Sequence, residues 1–206
     1  DRRIFPITTA RALIVMIGSL LLLGGCDQKP TETIRFALST AIVTLDPRFA
    51  TDATSTRICR LIYQSVVDFD ENFEPIPALA DWHLASPTRY VFRLVGEPRF
   101  HDGTALGADD VVATYQSVLD AATASPHRGS LANIAQILAL DSHSFAIDLK
   151  RPDPLFPGLL VIGILPKPLI HPNATVDQNI VGSGPFRVVG SWTDKRLDLI
   201  RINDER

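Results

Sequence analysis

Tyr90-Val91-Phe92-Arg93-Leu94, then Phe100-His101-Asp102-Gly103-Thr104, then Ala108-Asp109-Asp110-Val111-Val112: these three pieces, taken in order, decide the fold class. In the first, Tyr90, Phe92 and Leu94 alternate with Val91 and Arg93, the period of two of a strand with one buried face. In the second, Asp102-Gly103 is turn chemistry, because Asp bonds its own backbone and Gly accepts a positive φ. In the third, Asp109 and Asp110 sit where a helix dipole favours carboxylates, and Val111, Val112, Tyr115, Val118 and Leu119 fall on one face, which predicts a helix from 109 to about 122. Strand, turn and helix in quick succession make this a mixed α/β chain.

Working outward, the turn Ser86-Pro87-Thr88 separates that strand from another at 82–84, and Asp70-Glu71-Asn72 follows a short strand at 67–69. Ile58, Leu61, Ile62 and Val66 recur at helical spacing and predict an amphipathic helix over about 54–67, N-capped by Asp52 or Thr51. Before it lie a loop with Leu45-Asp46-Pro47 and the alternation Ile34, Phe36, Leu38, a half-buried strand at 34–38. Downstream, 137–140 and 145–149 flank Asp141-Ser142-His143 as a hairpin. Six prolines between 152 and 172 exclude a long helix there. Strands at 186–189 and 197–202 surround a turn near Asp194. No internal repeat is present.

The 206 residues are 46% apolar and 21% charged, which places the chain among globular proteins rather than disordered ones. Much of the apolar excess lies in the first 25 residues. Arg2, Arg3 and Arg11 form a basic region, residues 12–23 an apolar stretch of 12, and Gly24-Gly25 a small-residue site before Cys26. The stretch is short of the ~20 residues of a spanning helix and fits the apolar part of an export signal. Residues 26–32 then read as a short linker.

Leu23-Gly24-Gly25-Cys26 resembles the lipobox of bacterial lipoproteins, which implies that Cys26 is lipidated and becomes the mature N-terminus. Asp27 resembles the signal for retention in the inner membrane. The expected location is the periplasmic side of the cell membrane, anchored by lipid. The chain from Cys26 onward carries 17 basic and 22 acidic side chains, a net charge of −5. No segment is densely basic, which argues against nucleic acid as a partner. Cys59, on the apolar face of the helix over 54–67, reads as a buried small hydrophobe.

The five histidines are dispersed, the nearest pair being 16 residues apart, so neither a metal site nor a cofactor is expected. His101-Asp102 and Asp109-Asp110 read as a turn and a helix start. Gly182-Ser183-Gly184 falls short of a nucleophile elbow, since Val181 stands where that motif needs Gly and Pro185 blocks the following helix. No catalytic site assembles from these residues, and no enzyme activity is expected.

Several pieces taken in order resemble the family 5 extracytoplasmic solute-binding proteins of ABC importers. Leu45-Asp46-Pro47, residues 78–82 (Ala-Leu-Ala-Asp-Trp), the strand–turn–helix series of 90–112 and residues 182–186 (Gly-Ser-Gly-Pro-Phe) stand in the family's order, over about 33–203. The resemblance implies a type II periplasmic-binding-protein-like α/β fold. A discontinuous first domain would comprise 31–63 plus 153–206, with 64–152 as an inserted domain. It implies a peptide or small solute as ligand, and permease subunits as partners. Thr51, Asp52 and Ala53 match the loop that offers main-chain groups to an extended peptide, and His127 after Ser125-Pro126 matches a ligand-facing position. Gly107 departs from the usual Thr or Ser. Family members are roughly twice as long, so the C-terminal lobe is expected to be missing, with weak binding by this half alone. A truncated, non-transporting relic stays open as the alternative, and a lipoprotein hydrolase is a further one.

Overall fold

The computed structural model describes residues 37–171 and 176–202. The expected export signal, Cys26, the expected linker and all but the end of the strand expected at 34–38 lie outside the described residues, and Leu38 belongs to no strand.

Helix α1 (Ala53–Ile62) starts where Asp52, in extended conformation, accepts the Ser55 N–H at 2.8 Å. That resolves the choice between Asp52 and Thr51 in favour of Asp52. The helix stops at Ile62, five residues earlier than apolar spacing predicts. The cause is tertiary: the Ile62 carbonyl accepts the Gly184 N–H at 2.7 Å, Tyr63 turns extended, and Ser65 bridges to Gly163. Helix α2 (Ala108–Leu119) is also shorter than predicted, because Asp120 turns extended and caps a separate 3-10 turn, Ala121–Thr123. Gly107 has no side chain with which to cap α2, but Asp110 accepts the Gly107 N–H at 2.8 Å, supplying one half of a capping box.

Strands β1 (Val67–Phe69) and β2 (Pro75–Pro77) form an antiparallel hairpin. Sequence reasoning misses β2, since two prolines in three residues discourage a strand; in a two-stranded ladder every strand is an edge, where a missing N–H is tolerated. The main sheet contains β3 (Ala80–Ser86), β4 (Arg89–Leu94), β5 (Ile134–Ala139) and β6 (Ser144–Leu149) in the order β3-β4-β6-β5, all antiparallel. The alternation at 90–94 holds: Tyr90, Phe92 and Leu94 are buried and Arg93 is exposed. Register places Trp82, Phe92 and Phe145 in one row across three strands, and the Phe92 and Phe145 rings stack 4.8 Å apart. Burying each such ring contributes about 2–3 kcal/mol. Strands β7 (Phe186–Val188) and β8 (Leu199–Arg201) form a small hairpin around the turn near Asp194.

Two apolar clusters result. One runs from Val66 to Ile164 and holds the main sheet, the inner face of α2 and the returning segment with Phe156 and Leu160. The other joins Ile42, Leu45, the inner face of α1, Leu165 and Val176, with Val188, Trp192 and Leu199 packed against it. The chain passes between the clusters near residues 63–66 and 164–165.

Candidate functional site

The loop before α1 is held by polar anchors rather than by apolar packing alone. Asp177 accepts the Leu45 N–H at 2.6 Å and the Thr44 hydroxyl at 3.1 Å. Ser55 on α1 accepts the Val43 and Thr44 amides. Asp46 and Arg48 form a buried ion pair, Nη2 to Oδ2 2.6 Å, with both side chains under a tenth exposed. Asp46 also accepts the Arg48 backbone N–H at 3.0 Å, so the bend after Pro47 is closed twice by one carboxylate.

That bend docks on the end of α2 and the turn after it. Arg48 Nη1 donates to Ser117 at 3.3 Å, and the buried Ser125 hydroxyl donates to the Arg48 carbonyl at 2.7 Å. His127 Nε2 lies 3.2 Å from the Ala50 carbonyl, which fixes the imidazole beside the loop. Thr51, Asp52 and Ala53 follow directly, Thr51 and Ala53 exposed and Asp52 half-buried. The four positions expected from the sequence therefore lie together, although 74 residues separate Ala53 from His127. The Asp52 carboxylate is committed to the cap: the Ser55 amide, its strongest partner, holds it below the ordinary carboxylate range.

A shallow depression of about 610 Å³ opens beside this loop, lined by Thr51, Ala53, Thr56, Arg57, Arg60 and Leu61. Its lining consists of Thr51 and one exposed stripe of α1, since positions 53, 56, 57, 60 and 61 recur at the helical spacing. The sequence shows this stripe only as the non-apolar side of a helix, so Arg57 carries no signal there beyond its charge. Arg48 and Ser125 are missed for a different reason: residue type says nothing of a guanidinium's burial.

The inner face of α1 is inert. Burial, followed by the charges of Asp46 and Asp177, pushes the Cys59 thiol up to about 12, which agrees with its reading as a small hydrophobe. Tyr63, buried next to it, is raised well above its ordinary value by desolvation, and its hydroxyl has no hydrogen-bond partner among the described residues.

Gly182-Ser183-Gly184 has a structural task. A Cβ on Gly182 would stand 2.0 Å from the Ile62 carbonyl oxygen, and one on Gly184 2.6 Å from that of Leu61, so only glycine lets this segment approach the end of α1. From the other side, the Gly182 carbonyl accepts the His101 N–H at 2.7 Å and the Gly184 carbonyl accepts His101 Nε2–H at 2.9 Å. Asp102 is engaged in its own turn, accepting from Thr104. Burial is the main force holding the His101 imidazole below its usual value, with Arg187 adding to it and the Gly184 carbonyl and Asp102 opposing.

A family model described as bacterial extracellular solute-binding proteins, family 5 middle, matches residues 72–204. Among curated proteins, the chain is similar to the periplasmic oligopeptide-binding protein OppA of Salmonella typhimurium, 27% identical over 184 residues, covering 78% of this chain and 34% of OppA. It is similar also to the glutathione-binding protein GsiB of Pectobacterium atrosepticum, 28% identical over 176 residues, covering 81% and 33%. The chain thus spans about a third of the length of the curated relatives it matches. Among solved structures, NikZ from Campylobacter jejuni in complex with Ni(L-His) superposes with a TM-score of 0.66 at 28% identity, over 74% of this chain and 31% of NikZ. The unliganded open form of the murein tripeptide-binding protein MppA superposes at 0.73 and 22% identity, over 80% and 36%. The fold is accordingly that of type II periplasmic binding proteins, of which this chain represents a part. Since the matched model spans well over half of the sequence, the chain belongs to the bacterial extracellular solute-binding proteins of family 5.

Proposed function

We propose that this protein is the solute-capturing component of an ABC importer, anchored by lipid on Cys26 at the periplasmic side of the membrane and delivering a peptide or similar solute to permease subunits. The observation that carries this reading is that His127 bonds the Ala50 carbonyl directly before Thr51–Ala53, on a loop held by the Asp46–Arg48 pair, with Thr51 and Ala53 lining an open depression. A loop fixed in advance loses little entropy when a ligand settles on it. An extended peptide presents the same backbone whatever its side chains, which suits a fixed loop that exposes Thr51 and Ala53. The names of OppA and GsiB, binders of oligopeptides and glutathione, point to the same ligand class.

A discontinuous first domain, 31–63 with 153–206, around an inserted domain of 64–152 belongs to the same proposal. Its support is the pair of apolar clusters; residues 156–164 join the cluster of the insert rather than that of the first domain, so by packing the insert would extend to about 164.

Titration of the isotope-labelled chain with a pool of di- to pentapeptides, followed through backbone amide resonances, tests the ligand site. Saturable shifts centred on Thr51, Asp52, Ala53 and His127 are expected, and an unchanged spectrum at millimolar peptide rejects the reading. The anchor is tested separately: labelled palmitate should enter the wild type and not Cys26→Ala.

A further inference from the structure

Helix α1, with the sequence ATSTRICRLI, carries two arginines and no carboxylate. Both arginines are among the residues that line the depression beside the ligand loop, and no acidic residue is. Like charges three apart on a helix repel, and the usual remedy is an acidic neighbour. Arg60 has one, an ion pair with Asp68. Arg57 has none: among the described residues it forms neither an ion pair nor a side-chain hydrogen bond.

The surroundings of Arg57 add to this bias. Ala53, one turn before it on the same stripe, opens the helix, and the positive end of the dipole is directed there. The Asp52 carboxylate, the nearest acid in sequence, is held by the Ser55 amide as the cap. Thr56 donates its hydroxyl to the Ala50 carbonyl, tying the stripe to the loop.

We propose that Arg57 receives a carboxylate of the bound solute, so that a ligand lying on Thr51–Ala53 is selected for a free acid group directed along α1. The guanidinium fork matches a carboxylate bidentately, which a lysine or a neutral donor does not. The inference rests on the solute-binding reading above and adds the charge of the ligand and the residue that recognises it.

The test compares trialanine with trialanine amide, which differ only in the terminal carboxylate. Each is titrated into the wild-type chain and into Arg57→Gln, following the Thr51 and Ala53 amides and the Arg57 side-chain Nε–H. Trialanine is expected to bind the wild type about tenfold more tightly than the amide does, and Arg57→Gln to abolish that preference by weakening the acid alone. Equal binding of both peptides to the wild type, or an equal loss of both in Arg57→Gln, overturns the role of Arg57 while leaving the loop as a ligand site. No shift with either peptide rejects the solute-binding reading and this inference together.

Discussion

The two apolar clusters are built by different means. From Val66 to Ile164, order comes from register: a four-stranded antiparallel sheet puts every second residue of β4 into the core, and one helix covers it. In the cluster around α1, only a ten-residue helix and a small hairpin are regular, and the loop from Ile42 to Ala50 is placed by buried polar groups and glycine contacts. Apolar register does its work by burying area, so the loss of any one large ring from a row is costly. Polar anchoring concentrates the work in a few atoms, which suits a loop that must stand in one geometry and still face solvent.

If that contrast is correct, the largest single loss comes from the sheet. Phe92→Ala removes the middle ring of the Trp82–Phe92–Phe145 row and should cost about 4 kcal/mol, measured by chemical denaturation. A loss below about 1 kcal/mol would mean that the row is not central. Gly182→Ala should cost about 3 kcal/mol although it adds one methyl, because that methyl meets backbone on α1. Hydrogen exchange should show the amides of α1 opening before those of β4 and β6, and simultaneous opening would erase the distinction between the clusters.

Arg48→Met leaves the Asp46 carboxylate buried without its cation. The expected cost is about 2 kcal/mol, limited by the Arg48 N–H that the carboxylate still accepts. Adding Asp46→Asn to that variant should recover part of the loss, since it removes the stranded charge and keeps an acceptor for the amide. A further loss would show that the carboxylate matters for something other than pairing.

The smallest effect is a pH dependence. The folded His101 imidazole lies below its ordinary value of 6.5, so the unfolded chain takes up the proton first as pH falls. The neutral ring donates from Nε2 to Gly184 and leaves Nδ1 buried without a partner, where protonation would strand an N–H. Stability associated with His101 is therefore complete above pH ~6.5 and lost below it. His101→Gln, which keeps a donor for Gly184, should lose less stability than the wild type between pH 7 and 5. Parallel curves for the two proteins would refute the assignment.

By itself, the sequence determined the elements whose signal is local. The period of two at 90–94, the Asp-Gly turn at 102–103 and the apolar face at 111–119 each report backbone geometry within a few residues, and all three stand in the structure. It also indicated Thr51, Asp52, Ala53 and His127 as one group, through a resemblance rather than through spacing. Tertiary structure alone decided where α1 stops, that Pro75–Pro77 pairs as a strand, that Arg48 is buried and Arg57 is left unpaired. In each of those cases the deciding partner lies far along the chain or on another element: Gly184 for Ile62, Ser117 and Ser125 for the bend at Arg48, Asp68 for Arg60 but not for Arg57. Charge and residue type are written in the sequence, but desolvation and pairing are properties of the space into which a side chain is folded.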